Sequence, residues 1–283
     1  MSQTKKNLRE ACRYRPKSFI GVIFTTRGPE ISTGRLKNKK IEIKENELIT
    51  VTTDYYFIGE NNKLSCSYDK LCESAKIGNL IVFEEEEIKC EIIDVKDSYI
   101  ICKSLCKGTI HEQSRIYLPM AQIFIPTITD LDEEEIANFA IKEAIDLIAV
   151  SFVRSAEDIN NVRDVLGPRG VNIKVIAKID NYKALQNYEE ILNASDGIII
   201  ARGHLGLEIP TEKLFIAQKY MISRANFAGK PIITATQMLE SMVQSTKPIG
   251  AELTDVANSI LDGTDSVLLS TETSNGLYPI ETV

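Results

Sequence analysis

The stretch IKVIAKIDNYKALQNYEEILNASDGIIIARGHLG, residues 173–206, alternates a strand, a helix and a second strand. Residues 173–179 and 197–201 are nearly continuous apolar runs, which are typical of strands buried on both faces. Between them, apolar residues recur at helical spacing: Leu185, Tyr188 and Leu192. Because two strands joined by a helix pair in parallel, this stretch predicts a parallel sheet with crossover helices.

The same alternation extends along the chain on both sides of this stretch. Further buried strands are predicted at residues 19–24, 146–153, 231–235 and 266–269. Helices are predicted after the N-cap residues Thr129 and Ser155, from Thr211 to a stop at Gly229, and over residues 251–261. The chain therefore has six predicted parallel strands. A closed barrel built from such strands and helices has eight.

Polar residues follow the carboxyl ends of the predicted strands. They include Lys178, Asp180, Arg202, Glu208, Thr236 and Glu272. A doubly wound sheet would gather such residues at one switch point, whereas a barrel places them around one rim. Because they follow several different strands, we expect an α/β fold with a partial TIM-type (β/α) barrel.

Residues 29–126 have a different pattern, with short strands and little helix. Lys40-Ile41-Glu42-Ile43-Lys44 alternates polar and apolar residues. Further strand-like runs follow at residues 48–52, 80–83, 88–95 and 99–102. Many short strands pack naturally as a small β-barrel. We therefore predict that residues 1–28 begin the barrel domain, residues 29–126 form an inserted β-barrel cap domain, and residues 127–283 continue the barrel domain.

The composition argues against several classes of partner. A net charge of −7 and a pI near 5.2 disfavour nucleic acid, since phosphate binding needs a clustered basic surface. There is no apolar run of about 18 residues to predict a membrane span, and no apolar segment near the start to predict a secretory signal. The six cysteines match no zinc-binding spacing, and Cys102 and Cys106 are predicted to be buried free thiols. These features predict a cytoplasmic protein.

Lys178 and Asp180 lie two residues apart on one predicted strand and therefore point into the barrel mouth together. A lysine that offsets developing negative charge and a carboxylate that holds a metal suit a phosphorylated substrate with a bridging cation. A structural ion pair accounts for the same spacing. The turn at residues 203–206 can present backbone N–H groups to an anion, or it is a tight turn alone. The residues by themselves leave these alternatives open.

Several segments resemble the pyruvate kinase family, in the family's order. They are GPEI and TG at residues 28–31 and 33–34, AKIDN at 177–181, ASDG at 194–197, ARGHLG at 201–206, ATQMLESM at 235–242, DVAN at 255–258 and LSTET at 269–273. The resemblance implies transfer of the phosphoryl group of phosphoenolpyruvate to ADP, giving pyruvate and ATP in glycolysis, with Mg²⁺ or Mn²⁺ and K⁺. It also implies that the β domain is a mobile cap over the barrel mouth.

The resemblance gives individual residues a role. Lys178 matches the lysine that stabilises the transferring phosphoryl group, and Thr236 matches the threonine near the enolate carbon and the substrate carboxylate. The backbone amides of Gly203 and His204 match those that bind this carboxylate. Asp180 and His204 occupy the positions of the family's two metal-binding acids.

Departures from the family pattern predict impaired activity. Asp180 replaces a glutamate, and His204 replaces an aspartate although Mg²⁺ prefers hard oxygen ligands. Thr25 replaces an aspartate that helps to hold K⁺, so the potassium position at Thr26 is degenerate. No segment resembles the family's first two barrel strands. The chain stops at Val283, so we expect the final barrel helix to be short or absent and the C-terminal domain of the family to be missing.

Two functions remain open at this point. The first is a pyruvate kinase-like phosphotransferase of reduced activity, with phosphoenolpyruvate or pyruvate and ADP or ATP as its ligands. The second is a non-catalytic relative that binds the substrate, or that assembles through exposed strand edges with an intact paralogue as a homo- or hetero-oligomer. A truncated product that does not fold alone is a third alternative.

Overall fold

The computed structural model describes residues 7, 10, 13–14, 20–83, 88–143 and 145–283. Its strands are β1 (Ile23–Thr25), β2 (Lys40–Ile43), β3 (Leu48–Thr52), β4 (Lys63–Ser65), β5 (Leu80–Phe83), β6 (Ile88–Val95), β7 (Tyr99–Ser104), β8 (Gly108–His111), β9 (Ile116–Tyr117), β10 (Leu147–Val150), β11 (Lys174–Ile179), β12 (Gly197–Ala201), β13 (Ile232–Ala235) and β14 (Ser266–Leu268). Its α-helices are α1 (Leu71–Ser74), α2 (Asp130–Glu135), α3 (Ala156–Leu166), α4 (Tyr182–Gln186), α5 (Tyr188–Ala194), α6 (Arg202–Glu208), α7 (Leu214–Phe227), α8 (Gly250–Leu261), α9 (Thr271–Ser274) and α10 (Pro279–Thr282). Shorter helical turns cover Ile136–Ala140, Pro168–Gly170, Thr211–Lys213 and Glu240–Val243.

The barrel domain is built on one parallel sheet of six strands in the order β1-β10-β11-β12-β13-β14. In this sheet β1 pairs directly with β10, with Ile23 opposite Leu147, although the whole β domain lies between them in sequence. The order confirms the predicted partial (β/α) barrel with a domain inserted after its first strand. Within the described residues, β1 and β14 are edge strands with one neighbour each.

The two faces of this sheet bury different sets of side chains. One face packs on the helices through a large apolar core that includes Ile148, Val150, Val175, Ile198, Ile200, Met221 and Ile222. The other face carries a small inner layer formed by Ala149, Ile176, Ile199 and Ala235. Because side chains alternate along a strand, the residue two positions after each inner-layer residue points to the same inner side. This periodicity brings Ser151 and Lys178 to the mouth of the barrel.

The inserted segment is a small β domain with its own core. It contains the antiparallel pair β2–β8 and a six-stranded sheet in the order β4-β3-β7-β6-β5-β9. Its core consists of buried side chains such as Ile49, Leu64, Ile81, Ile92 and Ile100. The predicted fold class of a partial barrel plus a small β domain is therefore confirmed. The boundaries at residues 28 and 126 stay predictions.

Asp132 ties the segment that leaves β1 to the segment that begins α2. Its side chain is fully buried, and Oδ1 accepts a hydrogen bond from the Arg27 amide at 2.9 Å. Oδ2 accepts from the Gly28 amide at 3.2 Å and from the Thr129 hydroxyl at 2.7 Å. Removing this carboxylate would be costly, because the amides that donate to it would be left without an acceptor. The carboxylate thus fixes the point where the chain enters the β domain.

Local sequence signals placed several helix ends correctly. α3 begins after Ser155, which forms a capping box with Asp158, and ends before Gly167, whose φ is 52°. Thr129 caps α2 in the same way through Asp132. A capping side chain and a residue with positive φ act within one helical turn, so their effect is visible in the sequence.

Other local predictions were wrong. The predicted turn at residues 203–206 is the helix α6, and the single helix predicted through Leu185 and Leu192 is divided at Asn187 into α4 and α5. The strand predicted from residue 19 begins at Ile23, and residue 19 lies outside the described residues.

The cysteines that the structure describes carry free thiols. Cys102 is buried as predicted, whereas Cys106 is only partly buried. Cys12 lies outside the described residues. None of the helices in the described part of the chain has the length and apolar content needed to cross a membrane.

Candidate active site

Lys178 lies near the end of β11 and its ammonium group is largely withdrawn from solvent. Nζ donates a hydrogen bond to Ser151 Oγ at 2.8 Å, and Ser151 Oγ donates to the backbone oxygen of Thr26 at 2.9 Å. Since the hydroxyl hydrogen is used by Thr26, the serine oxygen is fixed as an acceptor for the lysine. Burial lowers the pKa of Lys178, and the nearby Asp180 carboxyl opposes this effect. The amine is therefore held in one place by a chain of two hydrogen bonds.

Asp180 is buried at the end of the same strand. Its Oδ2 accepts from the Phe152 amide at 2.9 Å, and its Oδ1 accepts from Asn181 Nδ2 at 3.0 Å. Burial raises the pKa of Asp180, while Lys178 and the Phe152 amide favour the charged form. Phe152 has a φ of 57°, an unusual value for a bulky residue, and this backbone conformation supports the amide contact. The carboxylate is thus fixed beside the lysine.

His204 lies in the first turn of α6 and packs between two aromatic rings. Its ring centroid is 5.4 Å from that of Tyr117 and 6.3 Å from that of Phe152, which is nearly parallel to it at 15°. Tyr117 belongs to β9 of the inserted domain, whereas Phe152 follows β10 of the barrel. The imidazole therefore serves as a packing element between the β domain and the barrel.

The side chains at the predicted metal position do not fit a resident Mg²⁺. The donor set is one carboxylate, whose oxygens already accept protein hydrogen bonds, and one imidazole that is stacked on aromatic rings. Mg²⁺ requires hard oxygen ligands in octahedral geometry. In the part of the chain that the structure describes, no three His, Cys, Asp or Glu side chains form a group able to hold a metal. Asp180 and His204 as metal ligands stay a prediction that this donor set does not support.

The predicted potassium position at Thr26 also lacks an acidic ligand. Thr26 is buried, its carbonyl oxygen accepts from Ser151 Oγ at 2.9 Å, and its Oγ1 accepts from the Ser151 amide at 3.0 Å. Thr25 brings no carboxylate and its side chain is exposed. These threonine oxygens hold β1 against β10, and Thr25 supplies no negative charge beside them, so Thr26 as a potassium ligand stays a prediction.

Gly203 and Thr236 form a second cluster at the ends of β12 and β13. The Gly203 amide donates to Thr236 Oγ1 at 2.8 Å, and this hydroxyl donates to the Ala235 carbonyl at 2.7 Å. A Cβ at position 203 would lie 3.3 Å from the same Oγ1, so glycine allows the close approach. The structure thus brings the predicted carboxylate-binding amide and the predicted catalytic threonine into direct contact.

A cavity of about 540 Å³ opens between the inserted domain and the ends of β10 and β11. Its walls include Tyr117, Leu118, Met120, Phe152, Asp180 and Glu208. Among the predicted site residues, Asp180 is the one that lines it. Lys178, Gly203 and Thr236 are not among the residues that line it.

Glu208 at the end of α6 has a carboxyl group whose pKa burial raises to about 7. Its Oε2 accepts from the Met120 amide at 3.1 Å, which favours the charged form but only partly offsets the loss of hydration. Its ordinary pKa is 4.5, so the folded protein binds this proton more tightly than the unfolded chain does. Its contribution to stability is complete below about pH 4.5 and is lost as the pH rises through about 7.

A Glu208→Gln variant is therefore expected to lose this part of the pH dependence. Between about pH 5 and pH 8 the free energy of unfolding of the unchanged protein should fall by about 2.5 kcal/mol more than that of the variant. Urea titrations across this range measure the difference. Glu212→Gln, at an exposed carboxyl, is the matched control and should keep the original slope. Equal slopes in all three proteins would contradict the raised pKa.

Sequence reasoning found some of this geometry and missed some. Ser151 lies in the predicted strand at residues 146–153, but nothing in the sequence indicated its hydrogen bond to Lys178. Tyr117 gave no signal, because its contact with His204 depends on how the inserted domain is placed.

Comparisons with known proteins agree with this architecture. The family model of the pyruvate kinase barrel domain matches residues 1–283. The pyruvate kinase of Eimeria tenella is 45% identical over 279 residues, which are 98% of this chain and 52% of that protein. A cytosolic isozyme of pyruvate kinase from Glycine max is 43% identical over 280 residues, which are 98% of this chain and 55% of that protein.

A solved structure is also similar to this chain. Cryptosporidium parvum pyruvate kinase in complex with ADP has a TM-score of 0.89 and 43% identity, and the match covers 99% of this chain and 57% of that one. This chain spans about half the length of the curated relatives that it matches.

Proposed function

This chain belongs to the pyruvate kinase family, and we propose that it handles phosphoenolpyruvate at the barrel mouth with impaired phosphoryl transfer to ADP. The observation that carries the proposal is the fixed ammonium group of Lys178 beside Asp180, at the carboxyl end of β11. A cation held in a desolvated site stabilises the charge that develops on a transferring phosphoryl group. This is the role that the family resemblance gives to the lysine.

The substrate carboxylate would bind at the second cluster. The amides at Gly203 and His204 belong to the first turn of α6, and Thr236 Oγ1 meets the Gly203 amide. An entering carboxylate would take the amide hydrogen that this hydroxyl now accepts. The hydroxyl would then turn its own hydrogen from Ala235 to the ligand, near the enolate carbon of the product. Binding at these donors would orient the phosphate toward Lys178.

The chain lacks several groups on which fast transfer depends. Loss of one electrostatic group commonly reduces the rate by about 10²–10³-fold. Three acids of the family are replaced in this chain. Two are lost, at His204 and Thr25, and the third is replaced by the shorter acid Asp180. Turnover is therefore proposed to be slower by several powers of ten than in full-length relatives.

Binding without catalysis is a second candidate, and the position of His204 favours it. A ring packed between Tyr117 and Phe152 fills space beside Asp180 and brings no negative charge for a cation. Such a site would still contain the lysine and the donors for the substrate carboxylate, but it would hold no metal ion. The same residues would then bind phosphoenolpyruvate as a ligand.

Pyruvate formation, coupled to lactate dehydrogenase, tests these two functions. The assay uses purified chain, phosphoenolpyruvate, ADP and K⁺ with Mg²⁺, Mn²⁺ or Zn²⁺ in parallel. Slow, ADP-dependent pyruvate formation is expected, at least about 10³-fold below that of a full-length family member. The absence of turnover with every ion would remove the enzymatic function. Calorimetric titration with phosphoenolpyruvate alone then decides whether binding remains.

The remaining expectations concern ligands and location. Cryptosporidium parvum pyruvate kinase was solved in complex with ADP, and we propose ADP or ATP as the second ligand of this chain. Relatives named cytosolic isozymes support the proposed cytoplasmic location. The net charge of −7 supports the expectation that nucleic acid is not a partner.

A further inference from the structure

Thr236 and Gln237 directly follow β13 and both have left-handed backbone conformations. Their φ angles are 69° and 53°. For a β-branched residue such as threonine this is a genuine outlier, and the conformation is strained. Strained conformations of this kind persist only where the surrounding structure holds them. Some group must therefore hold this turn.

The Arg202 guanidinium holds both carbonyl groups of the turn. Nε and Nη2 donate to the Thr236 carbonyl at 3.1 and 2.8 Å, and Nη2 also donates to the Gln237 carbonyl at 2.7 Å. The planar arrangement of guanidinium donors suits two adjacent acceptors, which a lysine ammonium cannot match in geometry.

The arginine is itself anchored and buried. Its side chain is 7% exposed, and Nη1 donates to Asp255 Oδ2 at 2.7 Å. A buried guanidinium without a counter-charge would be costly, so the carboxylate of α8 keeps the cation in place. The turn after β13 is thereby connected through one side chain to two other elements of the barrel.

The residue that follows the arginine also contacts the turn. Gly203 follows Arg202 in the chain, and its amide donates to Thr236 Oγ1 at 2.8 Å. Arg202 thus fixes the backbone of Thr236 from one side while the next residue fixes its hydroxyl from the other. The position of this hydroxyl depends on a residue that need not touch the substrate.

We propose that Arg202 is a positioning residue that holds Thr236 in the left-handed conformation required for its part in substrate binding and transfer. The inference rests on the proposed function, because Thr236 acts only if phosphoenolpyruvate binds at this site. The chemistry of Arg202 is not used in the reaction itself. Its contribution is to orient the hydroxyl and the adjacent amide.

Replacement of Arg202 tests the proposal. Arg202→Met is expected to reduce kcat by about 10²-fold, since a misplacement of about 1 Å at a reacting group has this effect. The KM for phosphoenolpyruvate should also rise, because the carboxylate donors are displaced, but by a smaller factor than kcat falls, because Lys178 still binds the phosphate. Arg202→Lys keeps the charge without the planar donors and should lose about tenfold. Both variants are compared at temperatures where circular dichroism shows them folded.

Arg224→Met is the matched control. Arg224 also donates two hydrogen bonds to a carboxylate, that of Glu189, but it lies on the exposed side of α7. Its kcat should stay within about twofold of the original. If Arg202→Met keeps its kcat, or loses activity only in proportion to its unfolded fraction, the positioning role is excluded.

A second measurement separates this proposal from the proposed function. If the unchanged chain forms no pyruvate, the function fails, and the ¹³Cα and ¹³Cβ chemical shifts of Thr236 still report its backbone conformation. Values typical of a left-handed residue should move to extended values in Arg202→Met and stay constant in Arg224→Met. Unchanged Thr236 shifts in the folded Arg202→Met variant would overturn the inference.

Discussion

A Lys178→Met variant is expected to form pyruvate at least about 10²–10³-fold more slowly than the unchanged chain. The reason is electrostatic, because phosphoryl transfer depends mainly on positioning and on stabilisation of charge. Within the described residues, the ammonium group donates one hydrogen bond, to Ser151 Oγ, so two of its N–H groups are left for substrate oxygens. Methionine fills a similar volume but offers neither charge nor donor.

The loss should appear in kcat more than in stability. Burial disfavours the charged lysine, so an apolar replacement of similar size recovers part of the desolvation cost. The variant should therefore unfold cooperatively near the original temperature. Lys174→Met is the matched control, since Lys174 begins the same strand and its side chain is exposed. A Lys178→Met protein that is folded and as active as Lys174→Met would remove the lysine from the mechanism.

Elements that depend on local chemistry were predictable from the sequence. The strands β3, β5, β6 and β12 were predicted with the bounds that the structure gives them, because apolar runs of strand length are local signals. The end of α3 follows from Gly167, and its start follows from Ser155 and Asp158. The parallel order of the barrel followed from the alternation of strand and helix.

Elements that depend on distant contacts were not predictable in the same way. The residues of α6 include two glycines and no side-chain cap at the start, so the sequence indicated a turn. The helix forms because Leu205 is fully buried and Arg202 is fixed by the turn after β13. Tertiary packing here overrides a weak local propensity.

The sequence indicated which residues belong to the candidate site better than it indicated which contacts they make. The periodicity of β11 predicted that the side chains of Lys178 and Asp180 lie close together, and in the structure the two charged groups interact. No periodicity indicates that Thr236 is left-handed, because the residue itself does not favour that conformation. Likewise, the interpretation of His204 as a metal ligand considered its chemistry alone. The aromatic rings on both sides of it come from elements far away in sequence.

A His204→Asp variant is expected to gain Mg²⁺-dependent activity, by about 10–100-fold over the unchanged chain. Aspartate supplies a hard, charged oxygen ligand next to Asp180, and Mg²⁺ is commonly held by one or two carboxylates together with substrate phosphates. Removing the ring also ends its packing between Tyr117 and Phe152, so the barrel mouth gains space for a hydrated ion. The gain is measured as pyruvate formation at increasing Mg²⁺ concentration.

The same variant should show a signature in stability that does not depend on turnover. Two neighbouring carboxylates in a buried site repel each other, so without metal His204→Asp should melt at a lower temperature than the unchanged chain. Mg²⁺ should reverse this loss, since a ligand present at 100 times its Kd stabilises the folded state by about 2.7 kcal/mol. His204→Asn, which removes the ring without adding charge, should lose only the stability that the ring packing contributes, and Mg²⁺ should not restore it. If the asparagine variant gains as much activity as the aspartate variant, the limit at this position is the volume of the ring and not the missing charge.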